Sequence, residues 1–256
     1  MHRKGSWYYK GQLTLFILLG IFIIMIFVVV QTLMHNQLNQ PRFTGQEDAA
    51  KTVVSDFVQD CLNHALEDSL YSIGQVGSTE LEPFILFEDS SVGVLFNGTT
   101  NLLPSLSAYG TEIAQGAIIP FTKCISDQEP LPFTIDIDTE HLDFLVSFEN
   151  TITHLEAHIP ITIIVGSSIT TLSTFSTTAP VSFAETHALV STYLTRISSD
   201  PYLIPIDLLL FGDVNAAIYP LDETSILIQL IDPGSTVGGN AWSFQFGIQF
   251  PLGDYP

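Results

Sequence analysis

The run Leu13–Val30, LTLFILLGIFIIMIFVVV, is apolar on every side of a helix, with only Thr14 and Gly20 less than strongly so. Its eighteen residues would cover roughly 27 Å as a helix, close to the hydrocarbon thickness of a bilayer. A soluble amphipathic helix would keep a polar face. A cleaved secretory signal would have a shorter apolar region and then a small-x-small site, whereas Gln31, Thr32, Leu33 and Met34 follow here. The pattern predicts a retained membrane-spanning helix over 13–34.

Beyond it the texture alternates between two periods. Thr44 and Glu47 have capping-box spacing, and Ala50, Val54, Phe57, Cys61 and Ala65 recur at three and four, so a helix is expected over 45–73 with Gly74 placed to end it. FILFE and VGVLF read as a strand pair around Asp89-Ser90-Ser91. A second helix is expected over 104–125, burying Leu106, Tyr109, Ile113, Ala117, Phe121 and Cys124, with Pro120 expected to kink or shorten it. Strands are expected over 133–138, 142–149, 151–165 and 168–176, where Ile, Val, Thr and Phe dominate. Ser182 and Glu185 again have capping-box spacing and open a third helix over 182–199. Residues 202–211 read as a short helix. The strands Ser225–Ile231 and Ala241–Phe250 close the chain, and the last alternates Trp242, Phe244, Phe246, Ile248 and Phe250 with Ser243, Gln245, Gly247 and Gln249. The fold expected is α+β: an N-terminal transmembrane helix, then an extracytoplasmic domain of antiparallel sheet packed with about three helices. The chain divides into a basic tail (1–12), the span (13–34), a linker (35–45) and the displayed domain (46–256), with a sub-boundary near 126–132.

Charge orients this arrangement. Arg3, Lys4 and Lys10 precede the apolar run with no acid, beside the interfacial aromatics Trp7, Tyr8 and Tyr9. All 27 acidic residues follow it, against only Arg42, Lys51, Lys123 and Arg196. Positive flanks stay in the cytoplasm, so the N-terminus is expected inside and the bulk outside, in a single-pass protein of the cell membrane. An acidic exterior excludes nucleic acid, whose phosphates need Lys and Arg, and argues against docking on anionic lipid. The partners expected are the bilayer, through 13–34, and a second copy or an envelope protein. Cys61 and Cys124 both lie beyond the span, where an oxidising exterior allows a disulfide; two buried free thiols are the other reading. Asn97-Gly98-Thr99 is a glycosylation sequon that the topology would expose.

Side-chain chemistry is sparse. His154, Glu156 and His158 (HLEAH) share one face of a strand and offer two imidazoles and a carboxylate to an ion such as zinc. On a strand the outer two lie roughly 13 Å apart at Cα, too far for both to grip one ion without bending. The reading preferred is the polar face of a half-buried strand, with Leu155, Ala157 and Ile159 inward. Asp136, Asp138, Glu140 and Asp143 gather at an expected hairpin turn, with oxygens suited to calcium but without the glycine and final glutamate of an EF-hand. There is no G-x-S-x-G, phosphate loop or dinucleotide fingerprint, and no catalytic residue or cofactor is assigned.

At Lys10-Gly11-Gln12-Leu13-Thr14 the chain resembles archaeal type IV pilin-like and class III signal sequences. The resemblance implies processing between Gly11 and Gln12, with the apolar helix kept; Phe16 stands where many pilins carry Glu. DFVQDCLNHALEDSLYSIGQVG (56–77), LPSL with a helix ending in Cys124, and the closing strand WSFQFGIQF resemble uncharacterised archaeal membrane-anchored surface proteins, chiefly from small-genome lineages. That likeness implies location and architecture. A structural or interaction role at the cell surface is therefore expected, with a pilin-like subunit as its concrete form and a tethered ligand- or cation-binding module, or an envelope hydrolase, as alternatives.

Overall fold

The computed structural model describes Met25 and residues 44–79, 81–88, 90–127, 133–139, 141–200 and 214–251. No helix among the described residues is long and apolar enough to cross a membrane. The expected span over 13–34 lies outside them except for Met25, which is helical and exposed. The expected helix over 202–211 also lies outside.

Among the described residues, three helices and ten strands make an α+β fold. Helix α1 (Thr44–Val76) is 33 residues long, about 50 Å. Its stripe Ala50, Val54, Val58, Cys61, Leu62, Ala65, Leu66, Leu70 and Ile73 is buried throughout, as spacings of three and four require. The helix passes the expected stop at Gly74 and ends before Gly77, whose φ of 74° suits a C-terminal glycine. Helix α2 (Leu106–Ser126) starts at Ser105, whose hydroxyl accepts from the Ala108 amide at 3.2 Å. Pro120 lies inside α2 without ending it. An interior proline costs about 3 kcal/mol, and the Cys61–Cys124 disulfide ties the turn beyond it to α1. Helix α3 (Phe183–Ser199) begins after Ser182, but the serine hydroxyl makes no capping bond. Its amide instead donates to Ser235 Oγ at 2.8 Å, so tertiary contact replaces the expected capping box.

One sheet holds β1 (Phe84–Phe87), β2 (Ser90–Asn97), β3 (Thr100–Asn101), β8 (Asn215–Pro220), β9 (Ser225–Val237) and β10 (Asn240–Gln249). Its order is β1-β2-β10-β9-β8, with β3 beside β2 and β10 parallel to β2. The other holds β4 (Thr134–Ile137), β5 (Asp143–Phe148), β6 (Thr153–Val165) and β7 (Ser168–Ala179). Here β4 pairs with Ile161–Ile164 of β6 and β5 with Thr153–His158, both antiparallel. They are therefore two halves of one edge strand, not the two arms of a hairpin. The break between them faces Pro160, which has no amide to give, and the β6–β7 register shifts at the same place.

The first sheet is curled. Phe87 on one edge strand and Tyr219 on the other have ring centroids 5.2 Å apart. The hollow side is filled at one end by Ile85, Val92, Val94 and Leu227, packed around Gly247, where a Cβ would come within 2.5 Å of Ile85 Cδ1. The expected polar side of β10 is thus a covered face: Gln245 is only 8% exposed. The opposite side, with Phe244, Phe246, Ile226 and Ile228, belongs to the main core. Phe183 sits where the two sheets meet, against Phe148 at 4.9 Å, Tyr109 at 5.1 Å, Trp242 at 5.6 Å and Phe244 at 6.0 Å. Contacts group residues 1–48 and 49–256 as separate units; both sheets, α2 and α3 belong to the second.

Only the second half of β10 pairs with β2. Beside its first half lies the end of α1, where a Cβ on Gly74 would stand 2.3 Å from Ser243 O and 2.8 Å from Trp242 Nε1. Gly74 is therefore a close-approach residue. Gly74→Ala, which would add about 1 kcal/mol of helix propensity on an exposed surface, is expected to lose about 2 kcal/mol net through overpacking and the disturbed Trp242 Nε1–Leu70 O bond of 3.0 Å. A urea midpoint equal to or above the parent's would contradict this.

Candidate functional site

Strand alternation puts His154, Glu156 and His158 on one face of β6 and buries Leu155, Ala157 and Ile159 on the other. His154 lies between Ser147 and Thr178, Glu156 between Leu145 and Ser176, and His158 between Asp143 and Thr174. The face is open: Glu156, His158 and Leu145 are exposed. Among the described residues no group of three His, Cys, Asp or Glu side chains is placed to hold a metal ion. Of the acids near 136–143, Asp138 accepts from or pairs with His141 Nδ1 at 2.7 Å in the break between β4 and β5. Asp136 and Asp143 lie on the two separate halves of the strand, and Glu140 is outside the described residues. Asn97 is exposed at the β2–β3 corner, where Gly98 takes φ 65° and donates its amide to Gln249 O at 2.8 Å. The sequon side chain thus stands clear of the sheet. Gly11 and Gln12 lie outside the described residues.

A cleft of about 500 Å³ lies between α1 and α2. The two helices run antiparallel: Cys61 bonds Cys124, Ser69 Oγ donates to Ile113 O at 2.8 Å, and Ser78 meets Glu112. Gly116 sets their spacing, since a Cβ there would come 2.6 Å from Ser69 Oγ. Inside the cleft Glu112 is 8% exposed. It accepts from Ser78 Oγ at 3.0 Å, from Thr79 Oγ1 at 2.5 Å and from the Thr79 amide. These charge-assisted bonds dock the chain leaving α1 onto α2. Sequence reading missed Glu112, although a signal was present: it falls between Tyr109 and Ile113 inside the buried arc of α2, where a charge needs partners.

One helical turn earlier, Tyr109 is enclosed by Phe183, His187 and Phe244. Burial pushes its hydroxyl far above the ordinary phenol range, and the nearby Glu112 charge adds to the shift. Burial likewise raises Tyr193. Among the described residues these two hydroxyls are the enclosed side-chain polar atoms without a hydrogen-bond partner. Tyr109→Phe and Tyr193→Phe, which remove an unpaired buried donor, are each expected to raise stability by about 1 kcal/mol. A fall in the thermal midpoint would show that the hydroxyl has a partner in solution.

A second cleft, about 420 Å³, runs between α2 and the edge strand β5. Gly110 allows the approach, with Cβ space only 3.1 Å from Val146 O. The helix thereby shields a strand edge. No family model, curated protein or solved structure matches the chain.

Proposed function

We propose that the chain is a single-pass cell-surface protein, anchored by residues 13–34, with its N-terminus in the cytoplasm and residues 46–256 displayed outside in a structural or interaction role. The observation that carries this reading is the charge partition about the apolar run: three basic residues and no acid before it, and every acidic residue after it. The Cys61–Cys124 disulfide supports the external placement, because such bonds persist in oxidising compartments. The exposed Asn97 corner suits it as well.

The concrete form is a pilin-like subunit of the archaeal surface, processed between Gly11 and Gln12 so that the apolar helices bundle and the acidic domains face solvent. Mass spectrometry of the native N-terminus tests it. A mature chain starting at Gln12 is the expected result, and an intact Met1 would sink the processed-pilin form. Protease protection of the domain in intact cells would sink the external placement itself. A tethered binding module is the second reading, favoured by the cleft of about 500 Å³ between α1 and α2.

A further inference from the structure

We propose that Asn97 is a glycosylation site, whose side-chain nitrogen carries an oligosaccharide received from a lipid-phosphate-linked donor. The proposal deepens the surface-protein reading and rests on it, because the acceptor must stand outside the membrane.

Asn97-Gly98-Thr99 is the one Asn-x-Ser/Thr triplet in the chain. The triplet is short, so its place in the fold decides what it can do. Strand β2 ends at Asn97 and β3 begins at Thr100, and those two residues pair, so Gly98 and Thr99 form a two-residue hairpin loop. Gly98 takes φ 65° at the first loop position, where glycine meets no steric penalty. Asn97 and Thr99 are both exposed. A Cβ on Gly98 would find no atom within 4 Å, so the space over the loop is open. The acceptor amide and the hydroxyl that the triplet requires therefore share one accessible corner. That corner is held on both sides, since Asn97 pairs with Gln249 of β10 as well as with Thr100.

Two further features suit the chemistry. An Asn-Gly pair ordinarily loses its side-chain amide when the glycine nitrogen attacks the asparagine carbonyl and closes a succinimide. Here the Gly98 amide is donated to Gln249 O at 2.8 Å, which withholds that nitrogen and preserves the acceptor. The donor's phosphate is anionic, and the chain has a formal net charge of −20. Residues 90–111 nonetheless contain no charged side chain, so the segment that meets the donor does not repel it. In the transfer a bond forms between Asn97 Nδ2 and the anomeric carbon of the sugar. The bond from that carbon to the phosphate oxygen breaks, the lipid phosphate leaves, and one amide proton is released; nothing is oxidised or reduced.

The test is mass spectrometry of the full chain taken from the membranes of the cells that make it. After chymotryptic digestion the peptide holding Asn97 is expected to carry an added saccharide mass and to release saccharide fragments on collision. Thr99→Ala, at an exposed loop position, should abolish the added mass with the circular dichroism spectrum unchanged, and Thr99→Ser should keep it. A peptide with Asn97 bare, with Asp in its place, or with a sugar that survives Thr99→Ala would each overturn the proposal. Protease treatment of intact cells separates this failure from that of the reading beneath it. Bare Asn97 on a domain cleaved from outside sinks the glycan alone, whereas bare Asn97 on a protected domain sinks the external placement with it.

Discussion

Replacing both Cys61 and Cys124 with alanine is expected to lower folding stability by about 4 kcal/mol. The bond joins residues 63 apart in sequence, and closing a loop of that size restricts the unfolded chain by about that amount on the chain-entropy model. The folded side adds to it. Cys61 is fully buried in the α1 stripe, so alanine leaves a small cavity there. At the other end Cys124 lies four residues past Pro120, in the part of α2 whose backbone ladder the proline interrupts. Urea unfolding checks the prediction: the midpoint should fall and the slope should rise, because the unlinked chain unfolds to a more open ensemble. Hydrogen exchange should quicken at 122–126 before it does at 109–121, where Tyr109, Ile113, Ala117 and Phe121 hold the helix to the core. Wild-type protein refolded in reductant should match the double variant. If it keeps the parent's midpoint, the covalent link contributes nothing and the helix pair is held by Ser69, Gly116 and Glu112 alone.

Much of the fold was legible because its signals are local. The stripe from Ala50 to Ile73, the stripe from Tyr109 to Phe121 and the alternation of β6 marked which sides are buried, and most of the expected elements formed within a few residues of their expected ends. What escaped were features that only tertiary contact decides. Gly74 looked like a helix end and is a contact point against Ser243. The strand expected over Ser225–Ile231 runs on as β9 to Val237, past Pro233-Gly234, where Asp232 accepts from the Gly234 amide at 2.9 Å and the Ser235 hydroxyl at 2.5 Å. Strand β8, NAAIYP, has too little patterning to stand out, and it forms by adding to the edge of β9.

The same division holds for candidate chemistry. HLEAH was visible as a motif, and its two-residue period already argued for an open strand face, which is where the residues stand. Glu112 was hidden inside an apolar stripe. The convergence of Gln75, Gln229 and Gln245 was hidden more deeply. Nothing in their local pattern says that three distant segments meet, and the polar period of β10 suggested solvent where the sheet curls back on itself. Only the approach of Phe87 to Tyr219 shows the curl.

Phe183→Ala should match the disulfide loss in size, at about 4 kcal/mol, for a different reason. Removing a buried phenylalanine ring costs about 3–5 kcal/mol in core positions that relax poorly. This site has little room to relax, since its four ring neighbours come from α2, β5 and β10 and so from both sheets. Edge-to-face pairs add about 0.5–1.5 kcal/mol each beyond buried area, but one ring shared among four partners will not deliver the sum. Phe183→Leu separates the terms: it keeps most of the volume, loses the ring geometry, and should cost about 1 kcal/mol. The location predicts more than a magnitude. Phe183 opens α3, directly after the segment where Ser182 and Thr236 tie the first sheet to the approach to that helix. Loss of the ring should therefore loosen the second sheet from the first before either melts. Tryptophan fluorescence of Trp242, 5.6 Å from the ring, should then change at lower urea than the far-ultraviolet circular dichroism. Coincident transitions in Phe183→Ala would mean that the two sheets remain one cooperative unit without this ring.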